Sequence, residues 1–245
     1  MLDAATLVTT FTFLLAGFVK GVIGLGLPAV AVGLLGLVMT PAQAAALLIV
    51  PSLVTNVWQL AAGPRFLPLA RRLWPMMLGI CLGSWAGAGL LVGDTSGRAT
   101  IALGIALALY AAFGLATLHL PPPGRAERWL SPLIGAATGL VTAATGVFTL
   151  PAVPYLQALQ LEKDDLVQAL GLSFTVSTLA LAADLARGGA LASAAGPSLL
   201  ALLPASAGML AGQWLRARVA PERFRFWFFL GLLALGCHLA LRRLW

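Results

Sequence analysis

Long runs of apolar residues, separated by short polar or proline-containing breaks, follow one another along the chain. Most runs extend over about 20 residues, the length that an α-helix needs to cross the hydrocarbon core of a bilayer, whereas strands are much shorter. The pattern therefore predicts an all-α polytopic membrane protein. Eight full spans are predicted, near residues 4–23, 42–62, 74–92, 99–118, 129–146, 166–186, 197–215 and 226–242.

Glycine and proline interrupt the apolar pattern at two places where a helix would normally continue. The first interruption is the sequence GLGLP at residues 24–28, and the second is GVFTLP at residues 146–151. The apolar segments that follow, 29–39 and 148–159, would rise only about 17 Å as helices, against a hydrocarbon core of about 30 Å. Each is predicted to be a short broken or re-entrant helix that ends within the membrane.

Matching glycine and proline positions indicate that the chain consists of two homologous halves. Gly17 and Gly24 correspond to Gly139 and Gly146 at a shift of 122 residues. We therefore predict a first transmembrane repeat at 1–120, a proline-rich connector at 121–128 and a second repeat at 129–245. At a shift of 129 residues, Pro68, Pro75, Gly79 and Gly83 correspond to Pro197, Pro204, Gly208 and Gly212.

The distribution of arginine among the loops indicates that the two halves are inverted relative to each other. The loop at 63–73 holds three arginines, whereas its counterpart in the second half holds Arg187 close to Asp184. The next two equivalent loops show the reverse, since 93–98 holds one arginine and 216–225 holds four. Basic loops face the cytoplasm, so equivalent loops are predicted to lie on opposite sides of the membrane. Each half then needs an odd number of crossings, which four full spans plus one short helix provide.

This layout places the loops at 63–73, 119–128 and 216–225 in the cytoplasm and both termini outside. The alternative is eight spans with parallel halves. It accounts for Arg242 and Arg243 near the C-terminus but leaves the loop asymmetry unexplained.

Composition agrees with a lipid environment and argues against several other classes of protein. The chain is 60% apolar and 9% charged, with a mean hydropathy of +0.96, whereas soluble domains are about 25% charged. Its net charge of +7 is concentrated in short loops, which encodes membrane orientation rather than nucleic-acid binding. The first apolar run extends past signal-peptide length and includes Lys20, so we expect no cleaved signal.

The sequence also lacks the signatures of an enzyme or a metal site. Cys81 and Cys237 lie inside apolar spans without CxxC spacing, and the histidines, His119 and His238, lie near span ends. There is no GxSxG, HExxH or Walker motif. We therefore expect no enzymatic activity, no cofactor and no metal, and any transport would be driven by gradients or by a separate partner.

Lys20 is the strongest single candidate for binding chemistry. It lies one turn before Gly24 in an apolar span, where an uncompensated ammonium costs about 3 kcal/mol or more. An anionic ligand would compensate the charge, or else the side chain snorkels to the cytoplasmic interface. Its equivalent in the second repeat is Thr142, so a site at this level would combine charge from one half with a hydroxyl from the other.

The two breaks would also direct the N-terminal amides of the short helices inward, where the positive end of the helix dipole favours an oxyanion. The alternative is that these glycines only permit close helix packing and that proline tilts a helix. Ser52, Thr55, Asn56 and Gln59 follow i, i+3, i+4, i+7 spacing and form one polar stripe, which lines a path or hydrogen-bonds helices together. The predicted substrate-binding residues are Lys20, Gly24, Gly26, Pro28, Asn56, Gln59, Thr142, Thr145, Gly146, Thr149, Pro151 and Ser173.

The glycine-rich breaks resemble those of the TauE/SafE sulfite exporter family, also called TSUP, and the likeness extends over almost the whole chain. The first copy is carried by Gly17, Gly21, Gly24, Gly26 and Pro28, and the second by Gly139, Gly146 and Pro151, with Ala143 in place of a glycine. The resemblance implies a secondary transporter or exporter of sulfite, a sulfonate or a related organic anion in the bacterial cytoplasmic (inner) membrane.

Alternating access at a midplane site formed by the broken helices is the expected mechanism. The expected partners are the lipid bilayer and a small anionic substrate. A proton or a sodium ion is a candidate for the coupling ion, and an oligomer is a candidate for the assembly state. The alternative function is a non-transporting membrane scaffold or a partner-dependent assembly factor.

Overall fold

The computed structural model describes residues 4–94, 96–116, 120–216, 218 and 221–242, without the side chains of 221–223. His119 and Arg243 lie outside the described residues, as do parts of the loops at 93–98, 119–128 and 216–225. Within those ranges the chain forms ten α-helices, one short 3₁₀ turn and no strand. The helices are α1 Ala4–Ile23, α2 Leu27–Leu35, α3 Pro41–Ala61, α4 Phe66–Ala86, α5 Arg98–Leu115, α6 Glu127–Thr145, α7 Ala152–Ala158, α8 Lys163–Arg187, α9 Ala190–Arg216 and α10 Pro221–Leu241.

The prediction of an all-α, polytopic membrane protein is confirmed. In the part of the chain that the structure describes, six helices are long and apolar enough to cross a bilayer, namely α1, α3, α5, α8, α9 and α10 from Phe224 onward. The helices α4 and α6 have 21 and 19 residues, which is also enough to cross, but they carry charged residues toward their N-terminal ends. They pack closely against each other inside the bundle.

Both predicted interruptions of the helices are present, although the short helices begin elsewhere than predicted. The helix α1 ends at Ile23, and α2 starts at Leu27, before Pro28, because the fixed φ of proline suits the first turn of a helix. The helix α7 is shorter than the predicted 148–159 and starts at Ala152, directly after Pro151. Gly26 and Gly146 have φ values of 105° and 75°, a left-handed conformation that residues with a Cβ atom rarely adopt.

Other glycines of the two repeats have a different role, because they allow backbones to touch. A Cβ atom on Gly17 of α1 would lie 2.0 Å from the carbonyl oxygen of Ala205 in α9, and one on Gly139 of α6 would lie 2.1 Å from that of Ile80 in α4. Small residues permit such close packing in membranes, where apolar burial does not drive helices together. The close-packing explanation therefore applies to Gly17 and Gly139, whereas Gly26 and Gly146 occupy the breaks themselves.

Equivalent helices of the two halves run in opposite directions where they meet. Near one end of the α3–α8 contact, the hydroxyls of Ser52 and Thr178 lie 3.3 Å apart, and near the other Gln168 Nε2 donates to Leu60 O at 2.7 Å. The helices α5 and α10 are also antiparallel, since the ring of Tyr110 packs against Phe229 and Gly104 lies against Ala240. By contrast, α1 runs parallel to α9, and α4 runs parallel to α6.

These directions define the two ends of the bundle. The end that we call the Arg216 end gathers the C-terminal ends of α1, α3, α5 and α9 and the N-terminal ends of α4, α6, α8 and α10. The opposite end holds the C-terminal end of α6 and the turn between α4 and α5. The pairs α1–α9 and α4–α6 correspond to each other when α1 is matched with α6 and α4 with α9, the matching that the predicted repeat assigns.

Replacing Gly208 by alanine should destabilise the α1–α9 contact, because its Cβ atom would lie 2.0 Å from the carbonyl oxygen of Leu14. Overpacking of this kind costs about 1–3 kcal/mol, which corresponds to a decrease in Tm of roughly 2–10 °C for a chain of this size. Gly196→Ala is the matched control on the same helix, since a Cβ atom there meets nothing within 4 Å. Thermal unfolding in detergent should show a lower Tm for Gly208→Ala only, and equal Tm values would contradict the close contact.

Candidate functional site

The side chain of Lys20 lies inside the bundle. It is 3% exposed, and its ammonium donates hydrogen bonds to Thr55 Oγ1 at 2.9 Å and to Asn56 Oδ1. Because Lys20 is near the C-terminal end of α1 and Asn56 is near that of α3, the contact joins these two helices toward the Arg216 end. The ammonium therefore does not reach the interface by snorkelling, which was the alternative that the sequence left open.

The hydrogen-bond network of Lys20 continues into the second half of the chain. Asn56 Nδ2 donates to Ser52 Oγ at 3.0 Å and to Thr178 Oγ1 at 3.3 Å. The orientation of the Asn56 amide follows from its partners, because an ammonium only donates and must therefore face the amide oxygen. We call Lys20, Ser52, Thr55, Asn56 and Thr178 the Lys20 cluster; all five are at most 3% exposed.

The positive charge of Lys20 has no carboxylate partner among the described residues. The ion pairs in that part of the chain are Arg65 with Asp165 and Arg72 with Glu127. An ammonium has three donors, and the two that Lys20 uses bond to neutral oxygens. A buried charge without a counter-ion is costly, so a small anion beside the third donor would complete the site.

Gln59 connects α3 to the first helix break. Its Nε2 atom donates to the carbonyl oxygen of Gly24 at 2.7 Å, which satisfies a backbone group that the end of α1 leaves free. The other side-chain atom, Oε1, is buried and has no partner among the described residues. Gly24 and Gln59 thus lie together about one helical turn from Lys20, toward the Arg216 end.

The glycines that open the two breaks, Gly24 and Gly146, do not lie side by side. Gly146 packs against Ala45, near the start of α3, whereas Gly24 contacts Gln59 near its end. These two α3 residues are fourteen positions apart, or about 21 Å at 1.5 Å per residue. The physical reason is that α1 and α6 are both long helices that run in opposite directions, so their C-terminal ends reach opposite ends of the bundle. Gly24 and Gly146 therefore do not share one site, although Val153, two residues after the second break, lines the same cavity as Gly24.

The hydroxyl groups of the predicted site differ in whether they already form hydrogen bonds. Thr142 and Thr145 donate to the carbonyl oxygens of Thr138 and Val141 within their own helix, both at 2.7 Å. The amide of Val147, directly after the second break, donates to Thr145 Oγ1 at 3.1 Å and is therefore already used. Thr149 and Ser173 are fully buried, and their hydroxyls have no partner among the described residues.

Three members of the Lys20 cluster were not in the predicted set, namely Ser52, Thr55 and Thr178. The signal was present for the first two, because they belong to the polar stripe that includes Asn56. Serine and threonine hydroxyls often donate to a carbonyl oxygen of their own helix, as those of Thr55 and Thr178 also do at 2.7 Å. Residue type and sequence spacing therefore did not single out these three residues as part of a binding site. No three His, Cys, Asp or Glu side chains in the described ranges lie close enough together to hold a metal ion.

The sequence of the chain matches the model of a known protein family. The family model of the Sulfite exporter TauE/SafE matches residues 9–239, nearly the whole chain. No curated protein and no solved structure gave a match. The family consists of membrane transporters rather than enzymes, in agreement with the long apolar helices and the buried cationic cluster. The chain therefore belongs to the TauE/SafE sulfite exporter family.

Proposed function

We propose that the protein is a secondary transporter that exports a small oxyanion, such as sulfite or a sulfonate, and that the Lys20 cluster binds this anion. The observation that carries the proposal is the burial of Lys20 among neutral oxygens, with no carboxylate in reach among the described residues. A transported anion would supply the missing charge whenever it occupies the site. A scaffold or assembly factor would have no use for a buried charge of this kind, and the geometry therefore favours transport.

In this proposal the anion accepts a charge-assisted hydrogen bond from the third N–H of Lys20, the strongest type available in a dry site. Asn56 and Thr55 hold the ammonium in place from α3. The buried hydroxyls of Thr149 and Ser173 are further candidate donors, because neither has a hydrogen-bond partner among the described residues. Gly24, Gly26 and Pro28 would contribute by ending α1 one turn beyond Lys20. The backbone between Lys20 and the Arg216 end is then not a continuous helix, which leaves a path for the anion.

We also propose that the two halves are inverted repeats, each with four full spans and one short helix. The antiparallel contacts of α3 with α8 and of α5 with α10 support this, because equivalent helices of parallel repeats would point the same way. The contact of Lys20 with Asn56 gives further support. It joins the C-terminal ends of α1 and α3, so the segment containing α2 would return the chain across the bundle.

The Arg216 end is proposed to face the cytoplasm of a bacterium, with both termini outside. Basic side chains in the cytoplasm are the main determinant of membrane orientation. Among the described residues the opposite end has fewer of them, namely Arg98, Arg187 and Arg242. The described basic residues at the Arg216 end are Arg65, Arg71, Arg72, Arg125, Arg128, Lys163, Arg216, Arg218 and Arg225.

Alternating access would require the halves to separate at one end at a time, and a hydrogen-bonded tie between the halves is present at each end. At the Arg216 end, Gln168 of the second half donates to the carbonyl oxygens of Leu60 and Gly63. At the opposite end, Asp184 accepts from the amide of Gly89 at 3.0 Å. We propose that rocking of one repeat against the other breaks these ties in turn.

Lys20→Met should abolish most of the anion flux while leaving the protein folded. Methionine has a similar length and no charge, so the variant loses the counter-charge for the anion and removes a costly buried ammonium. Sulfite efflux from proteoliposomes at equal reconstitution should fall at least about tenfold, the value of one charge-assisted bond. Exposed Arg71→Gln removes one positive charge elsewhere and should leave the flux unchanged. Normal flux in Lys20→Met, with or without a proton or sodium gradient, would contradict the proposal.

Asn56→Asp should inhibit transport by placing a permanent anion beside Lys20. The internal carboxylate would compete with the substrate for the ammonium, and the resulting ion pair should raise Tm. Asn56→Ser is the matched control, because it removes the same amide without adding charge and should reduce flux only partly. If Asn56→Asp transports sulfite as well as Asn56→Ser does, Lys20 is not the substrate's counter-ion.

The inverted arrangement predicts that equivalent loops are accessible from opposite sides of the membrane. Pro64 lies between α3 and α4, and Arg187 is the last residue of α8, before the corresponding turn to α9; both are exposed. Single-cysteine variants at these positions, made after replacing Cys81 and Cys237 by serine, would be treated with a membrane-impermeant maleimide on intact cells. Arg187→Cys should react and Pro64→Cys should be protected until the cells are opened. Labelling of both from the same side would indicate parallel halves.

A further inference from the structure

A second basic site lies at the Arg216 end, separate from the Lys20 cluster. A cavity of about 150 Å³ opens there between α1, α5, α7, α8, α9 and α10. Lys163 from α8, Arg216 from α9 and Arg225 from α10 line it, and none of the described residues that line it is acidic. Among the described residues none of the three forms an ion pair. Cations from three different helices therefore converge on one space, and no carboxylate of the described side chains pairs with them.

A buried hydroxyl that lacks a partner also points to a ligand in this cavity. Tyr110 lines the cavity and is 1% exposed, and its hydroxyl has no hydrogen-bond partner among the described residues. A buried polar group without a partner is unfavourable and uncommon in folded proteins. An oxyanion in the cavity would accept a hydrogen bond from this hydroxyl while the basic side chains balance its charge.

The size and position of the cavity limit what it can hold. At roughly 30 Å³ per water molecule, it has room for a few waters, and hence for a small inorganic or short organic oxyanion rather than a large one. Gly24 also lines it, and a Cβ atom at that position would lie 4.0 Å from Arg216 Nη1. The guanidinium of Arg216 thus lies against the first helix break.

We propose that this cavity, which we call the vestibule, is a second anion subsite that receives a small oxyanion from the cytoplasm before it reaches Lys20. Gly24 follows Lys20 by four residues, or about 6 Å of helix, so the two subsites lie one turn apart. Gln59 donates to the carbonyl oxygen of Gly24, which lines the vestibule, and so ties α3 to the backbone between the two subsites. The order of the two subsites rests on the proposed transport function, whereas occupancy of the vestibule does not.

The test is anion binding to the Lys20→Met protein, in which the deeper subsite is removed. The full chain would be placed in phosphatidylcholine nanodiscs and titrated with sulfite by calorimetry under nitrogen. The variant should still bind sulfite. Adding Arg216→Gln or Tyr110→Phe should weaken this binding about tenfold, the effect of losing one charged or buried hydrogen bond. Tyr110→Phe removes only the hydroxyl, so it keeps the test informative if Arg216→Gln folds poorly.

Arg218→Gln is the matched control for general electrostatic attraction. Arg218 lies two residues from Arg216 but stacks over the ring of Trp214 at 3.6 Å and does not line the cavity. Sulfite binding to the Lys20→Met protein should be unchanged when Arg218→Gln is added. Equal weakening by Arg218→Gln and Arg216→Gln, or no sulfite binding to Lys20→Met at all, would overturn the proposal.

A second arm separates a free anion from the phosphate of a lipid headgroup, which has similar chemistry. Nanodiscs that also contain phosphatidylglycerol should give the same sulfite affinity, because helices surround the vestibule. Loss of sulfite binding in these nanodiscs would instead assign the cavity to a lipid. Sulfite binding by Lys20→Met together with no flux in the wild-type protein would leave the vestibule established and refute the transport function.

Discussion

The bilayer offers no water to a buried ammonium, so Lys20 must be compensated from within the protein or by what the protein binds. The fold provides two hydrogen-bond acceptors, Thr55 Oγ1 and Asn56 Oδ1, but, in the described residues, no carboxylate. Neutral oxygens orient the ammonium and reduce its desolvation cost without cancelling its charge. The remaining positive charge is what an anion carrier needs, because a permanent internal counter-ion would compete with the substrate.

Glycine has two separable functions around this site. In the long helices it permits direct backbone contact, as Gly17 does against Ala205 and Gly139 does against Ile80. This packing fixes α1, which carries Lys20, against α9, and it fixes α4 against α6. At the breaks, Gly26 and Gly146 adopt backbone conformations that other residues avoid. Glycines of the first kind allow the long helices to pack closely, and those of the second kind lie at the breaks that follow α1 and α6.

The sequence was sufficient to predict the features that depend on local pattern. Apolar run length predicted the helices, GLGLP and GVFTLP predicted the breaks, and the isolated charge in the first span singled out Lys20. The separation of Gly24 and Gly146 was not predicted, although the predicted inversion implied opposite directions for α1 and α6, because the depth at which each helix ends depends on its packing. The vestibule was also missed, since Tyr110, Lys163 and Arg216 are far apart in sequence. From the sequence alone, Arg216 is one of several basic loop residues that indicate the orientation of the protein in the membrane.

Selenite, the heavier analogue of sulfite, offers the most direct measurement of the central claim that an anion compensates Lys20. Crystals of the full chain soaked with selenite would be measured at the selenium absorption edge, which locates the anion independently of any assay of transport. The account predicts an anomalous peak within hydrogen-bond distance, about 3 Å, of Lys20 Nζ. A structure with saturating selenite and no peak beside Lys20 would contradict it.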